Sequence, residues 1–266
     1  MAIDPKILAN SKDSRLLSDA LDELAQGQAP ADQAALADFL SRQEALARLD
    51  GPPHPGPSSQ LRIARVLRLM MDNSAAHSSL VSLTQSPEFN ADVAREELLV
   101  QALAEVRPAP PQAVTYWDRR CHPDSTLQHY VAQALCDNGS PPAVALLEKK
   151  LADPALDPDD KILWMRKHIL VHRQDVPLLQ VCQSMLQKSL PDDLKPNLVE
   201  ALFDYRPGEW YRTCAFPEPP SRLALTREAR DLLLTIGQFA LDKLQLSPDL
   251  RVKVEATMRA IKGSKS

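Results

Sequence analysis

The chain has 266 residues, a formal net charge of −4, 44% apolar residues and 25% charged ones, the balance of a folded chain of one or two domains. A near-neutral total gives no global pull toward nucleic acid, and no apolar run approaches the roughly 20 residues of a membrane span. Gly is scarce at 7 and Pro abundant at 23, while Ala and Leu dominate. Sheet-rich folds want Gly in their turns and β-branched or aromatic runs, so the composition argues for helices.

The first residues, MAIDPKILANSKDS, lack the long apolar core of a secretory signal. Four cysteines, Cys121, Cys136, Cys182 and Cys214, are widely spaced and form no CxxC pair. They read as reduced thiols in a cytoplasmic protein. Residues 11–26 and 31–49 predict a first helical hairpin, with Leu17, Leu21 and Leu24 on one helix and Leu36, Phe39, Leu40 and Leu46 on the other. Residues 51–59, GPPHPGPSS, carry four prolines. They predict a linker or long turn between an N-terminal hairpin, residues 1–50, and the rest of the chain, residues 60–266.

The hairpin pattern then recurs. Residues 60–72 and 75–85 form the next pair, followed by 91–106 with 111–120. Residues 127–138 and 141–153 are the clearest pair. Leu127, Tyr130, Val131, Ala134 and Leu135 recur at three and four; Asp137-Asn138-Gly139-Ser140 stops the helix, and Pro141 suits the first position of the next. Ser140 is expected to cap that second helix. Residues 159–172 with 176–188 follow, and 191–204 begin another unit. The last large apolar residues of the first helices, Met70, Leu103, Leu135, Leu170 and Leu202, are separated by 33, 32, 35 and 32 residues. A hairpin this small cannot cover its own apolar faces, so a regular step predicts an array of stacked units.

The pattern Val131-Ala132-x-Ala134-Leu135, the Gly139 turn, Ala143-x-x-x-Leu147-x-x-x-Leu151 and Asp153-Pro154 resembles the short HEAT-like repeat of the bilin-lyase-like, armadillo-type group. The resemblance covers about residues 60–204. It implies an all-α, right-handed α-solenoid. Residues 205–221, with Trp210, Tyr211 and Phe216, interrupt the fifth unit as an insertion, and residues 248–262, opened by Ser247-Pro248-Asp249, predict a capping helix.

Chemistry-bearing constellations are sparse. His168 and His172, four apart on a helix, could face one ion, but zinc wants three or four ligands; they read as ordinary surface or groove residues. Cys121-His122 with His129 is no better. No His-Glu dipeptide, glycine-rich phosphate loop or G-x-S-x-G elbow occurs. The acidic pairs Asp159-Asp160 and Asp192-Asp193 fall at helix starts, where carboxylates complement the helix dipole. No catalytic residue, metal or cofactor is therefore expected. Arg62, Arg65 and Arg68, with Arg119, Arg120, Arg166 and Lys167, could line a basic groove, as in DNA glycosylases built of HEAT-like repeats; spaced this way they read first as a solvated face.

The second helices of the pairs carry Ser78, Ser82, Gln112, Tyr116, Arg119, Gln180, Gln183 and Gln187, which are expected to be exposed. Solenoids bind through such a concave row, and neutral polar groups with an aromatic and an Arg suit an interface. The expected partner-binding residues are Gln112, Tyr116, Arg119, Gln180, Gln183, Trp210 and Tyr211. The expected function is a non-enzymatic scaffold or adaptor for another protein. The alternatives are a nucleic-acid-binding protein, glycosylase-like, or a bilin-lyase-like chaperone holding a chromophore.

Overall fold

Short runs of Leu, Ala and Val at three- and four-residue spacing set the first level of structure, and punctuation by Pro, Asp and Gly sets the second. A computed structural model describes residues 5–50, 59–203 and 225–263. Among them it is all-helical. In order come α1 (Pro5–Asn10), α2 (Ser14–Gln26), α3 (Pro30–Leu40), α4 (Gln43–Ala47), α5 (Ser59–Met71), α6 (His77–Leu83), α7 (Val93–Leu103) and α8 (Pro111–Arg120). Then follow α9 (Gln128–Asn138), α10 (Pro141–Ala152), α11 (Pro158–Trp164), α12 (Val176–Ser184), α13 (Lys195–Phe203), α14 (Arg227–Lys243) and α15 (Pro248–Gly263). No described helix is long and apolar enough to cross a membrane. The insertion 205–221, with Trp210 and Tyr211, lies outside the described residues, as do Cys214 and residues 51–58 of the Pro-rich stretch.

The helix ends follow from local chemistry. Asp13 caps α2 by accepting from the backbone N–H of Arg15 at 2.9 Å, and Asp92 caps α7 through Arg95 N at 3.0 Å. Asp157 does the same for α11 through Asp159 N at 2.7 Å, and Asp159 and Asp160 occupy the first turn as expected. Ser247 accepts from Leu250 N at 3.2 Å at the start of α15. Ser140 departs from expectation. It sits at the N-cap of α10, but its hydroxyl donates to Asn138 Oδ1 instead of accepting from the helix.

Gly139, at φ 62°, is in the left-handed region that lets α9 turn into α10. A Cβ there would meet Cys136 O at 3.7 Å and Asp175 Oδ2 at 3.9 Å, ordinary contacts. The cost of Gly139→Ala is therefore backbone strain, about 1–2 kcal/mol. The expected outcome is a melting temperature lowered by a few degrees with an unchanged circular dichroism spectrum.

The helix expected over residues 31–49 breaks into α3 and α4, the one expected over 91–106 ends at Leu103, and two others end in wide turns. After α11, residues Met165–Ile169 widen into a π-helical turn, with Leu170 N donating to Met165 O at 3.2 Å. After α12, Met185–Ser189 do likewise, with Leu190 N donating to Met185 O at 3.0 Å. Each wide turn buries its methionine and the next large apolar residue, Ile169 or Leu186.

The chain divides into two compact units, and the division falls within α9: residues 1–120 and 126–134 form the first, residues 121–125 and 135–266 the second. In the first unit α2 packs on α5 and α5 on α7, while α3 packs on α6. The N-terminal hairpin is tied to the next pair by polar contacts. The buried Asn73 amide nitrogen donates to Ala25 O at 2.9 Å and Gly27 O at 2.8 Å, and its oxygen accepts from Gln28 Nε2 at 2.9 Å and Ala75 N at 3.1 Å. All of its bonding capacity is used, which is how a buried amide is tolerated. In the second unit α10 packs on α12, α12 on α14, and α14 on α15; α13 contacts α14, α15 and the π turn after α11. Buried Lys150 donates to Cys121 O at 2.8 Å, and Lys161, whose ammonium is disfavoured by burial, donates to Asp153 O.

Candidate functional site

Within the first unit, α6 and α8 with the segment before α8 border an open groove of about 500 Å³. Val81 on α6, Val106 and Pro110 supply apolar walls. Ser78 and Ser82 from α6, Gln85 from the turn after it and Gln112 from α8 supply neutral polar groups, and all four are exposed. His77 completes the lining and its Nε2 lies 3.0 Å from Met71 O. Among the described residues no Asp, Glu, Lys or Arg lines this groove. The neighbouring charges, Glu105 and Arg107, point to solvent and lie 3.9 Å from each other.

Ser82 gives its hydroxyl proton to Ser79 O at 2.7 Å, and Gln85 donates to Thr84 Oγ1 at 3.1 Å. Among the described residues the Gln112 amide makes no protein hydrogen bond, so it presents two donors and an acceptor to whatever lies in the groove. The groove is positioned by its back wall. Trp117, fully buried on α8, donates from Nε1 to Val100 O of α7 at 3.3 Å. Ser79 on the inner side of α6 donates to Gln33 O of α3 at 3.0 Å.

The expected partner residues divide accordingly. Gln112 lies in the groove with Ser78 and Ser82. Arg119 is exposed on α8 but does not line it. Tyr116 is not exposed: only 2% of it is accessible. Its hydroxyl donates to Asn90 Oδ1 at 2.7 Å, the Arg120 guanidinium lies 4.2 Å above its ring, and burial pushes its hydroxyl pKa well up. Tyr116 faces the same side of α8 as Trp117, which the sequence pattern did not reveal because both rings look amphipathic. Gln180, exposed, and Gln183, half-buried, lie on α12 of the second unit. The groove itself was missed: Val106 was expected in a helix over residues 91–106, but that helix ends at Leu103, and Pro110 lies in a Pro-rich connection with no helical period to read.

The basic residues that could have lined a groove are largely engaged within the protein. Arg62 is buried and donates to Leu49 O at 3.1 Å and Ser14 O at 3.3 Å. Arg65 pairs with Asp22 at 2.8 Å, whose carboxyl is raised by burial against the opposing pull of Arg65. Arg120 pairs with Glu96, and Arg166 with Glu200 at 2.7 Å. Arg65 and Arg166 are exposed as well as paired, and Arg68, Arg119 and Lys167 are exposed.

The histidine pair is not a surface feature. His168 is buried, and His172 is half-buried between two carboxylates. Its Nε2 lies 2.7 Å from Asp137 Oδ1, at the end of α9, and its Nδ1 3.2 Å from Asp175 Oδ2, just before α12. Burial opposes the charged ring, but the two carboxylate hydrogen bonds outweigh it and raise the pKa to about 9. The imidazolium thus works as a clamp across the Gly139 turn. Cys136 and Cys182 are free, fully buried thiols, the second pushed up to about 12 by burial, which keeps them unreactive. Among the described residues no group of three or more His, Cys, Asp or Glu is arranged to hold a metal ion.

No family model, no curated protein and no solved structure matches the chain.

Proposed function

We propose that this protein is a non-enzymatic scaffold or adaptor that docks another protein on the second helices of a HEAT-like α-solenoid. The uncharged α6–α8 groove carries the reading: apolar walls, exposed neutral polar groups and a free Gln112 amide are the composition of an interface rather than of an acid–base or metal site. The stacking of α2, α5 and α7 as one row and α3 and α6 as another supports the solenoid, as does the row α10, α12 and α14 in the second unit. Arg62 and Arg120 are held by internal partners and Arg65 and Arg166 by surface ion pairs, which favours a protein over a phosphate backbone.

The test is Val81→Glu. Val81 is half-buried on α6, so a carboxylate can reach solvent without unfolding the helix. It would still desolvate against any apolar partner surface. The expected outcome is unchanged melting temperature and at least a tenfold loss in the yield of co-purified protein from the native source. Equal capture by the variant would place docking elsewhere.

A further inference from the structure

We propose that the α6–α8 groove takes an extended, uncharged peptide segment of the partner protein, held by its backbone as much as by its side chains. This rests on the reading of the groove as a docking site and goes on to specify what enters it. Two observations carry it.

The first is charge. None of the described lining residues is Asp, Glu, Lys or Arg, and the adjacent Glu105 and Arg107 lie within reach of each other outside the lining. A charged side chain entering between Val81, Val106 and Pro110 would lose water and meet no opposite charge. The groove therefore complements a neutral segment.

The second is hydrogen-bonding capacity. Among the described residues the Gln112 amide has no hydrogen-bond partner, and Gln85 uses only its nitrogen, toward Thr84. A side-chain amide carries the same donor and acceptor as a peptide group, so it can meet one in a two-pronged contact. An extended chain offers such unpaired N–H and C=O groups along its length. A helix has already used its own internally and offers the two glutamines nothing but side chains.

The probe is a random-heptapeptide phage library selected on the full chain, with the Val81→Glu variant as counter-selection. The expected result is enrichment of heptapeptides without Asp, Glu, Lys or Arg at their central positions. Their synthetic versions should bind at least tenfold more weakly to Val81→Glu and about fivefold more weakly to Gln112→Ala. Line broadening or shifts of the amide signals of residues 77–85 and 110–113 locate the binding. Enrichment of charged or strongly helix-forming sequences that still depend on Val81 would overturn the extended, uncharged occupant and leave the docking site standing. Peptides that bind wild type and Val81→Glu alike, or no enrichment over the variant, would overturn both. Binding unaffected by Gln112→Ala would overturn the backbone-recognition part.

Discussion

Replacing Trp117 by Ala is expected to cost about 3–5 kcal/mol, the range for an aromatic-to-Ala change in a packed core. The indole is fully buried on α8 and donates to Val100 O of α7. The Ala variant leaves both a cavity and a carbonyl without its donor. Urea unfolding at neutral pH measures the loss, and the melting temperature should fall by about 10 °C. The same change frees α8 from α7, so Gln112 would lose its fixed position over the groove. Gln112→Ala, by contrast, removes an exposed amide with no partner among the described residues and should leave stability within about 0.5 kcal/mol. The two variants separate the wall of the groove from its contacts.

The second large effect concerns His172 and has a definite sign. Its pKa is about 6.5 in an unfolded chain and about 9 in the folded one. A group whose folded pKa is raised contributes fully below the unfolded value. That contribution is lost as pH rises through the folded one. Stability from the Asp137–His172–Asp175 clamp should therefore be complete below about pH 6 and gone above about pH 10. His172 is 20% exposed in its side chain, which screens the pairs only in part. A loss of about 2–3 kcal/mol between pH 6 and 10 follows. Denaturant titrations at stepped pH should show that decline in the wild type and a flatter profile in His172→Gln. Equal slopes would mean that the imidazolium is not held as the geometry requires.

The helices were legible because their signals are local. Leu17, Leu21 and Leu24 share one face within three turns, Asp92 caps its own helix three residues on, and Gly139 turns the chain where an adjacent Pro141 restarts it. The regular step between Met70, Leu103, Leu135, Leu170 and Leu202 was legible too, and all five side chains are buried. What the sequence hid depends on residues far apart along the chain. Arg62 looked like one of three cations on an open face, but its acceptors, Ser14 O and Leu49 O, lie 48 and 13 residues away. His172 looked like a partner for His168, whereas its carboxylates are Asp175 and Asp137, the latter 35 residues back. Tyr116 was expected at the surface because Gln112 and Arg119 flank it; Asn90 and Arg120 draw it inward. The π turns at Met165 and Met185 leave no mark in the apolar pattern, since one extra residue per turn keeps the same types buried. Of the candidate site, Gln112, Ser78 and Ser82 could be read from helix periodicity; Val106 was read into a helix that ends at Leu103, and Pro110 gave no periodic signal.

The measurement that bears most directly on the docking claim is photo-crosslinking from inside the groove. A photo-crosslinking amino acid placed at Gln112, in the intact chain and in its native cells, sits beside Val81 and Pro110. One placed at exposed Arg259 on α15 serves as the comparison. The account predicts a discrete protein adduct from position 112 that disappears when Val81→Glu is added, and no such adduct from position 259. An adduct at 112 that persists with Val81→Glu, or none at 112 while 259 yields one, would contradict it.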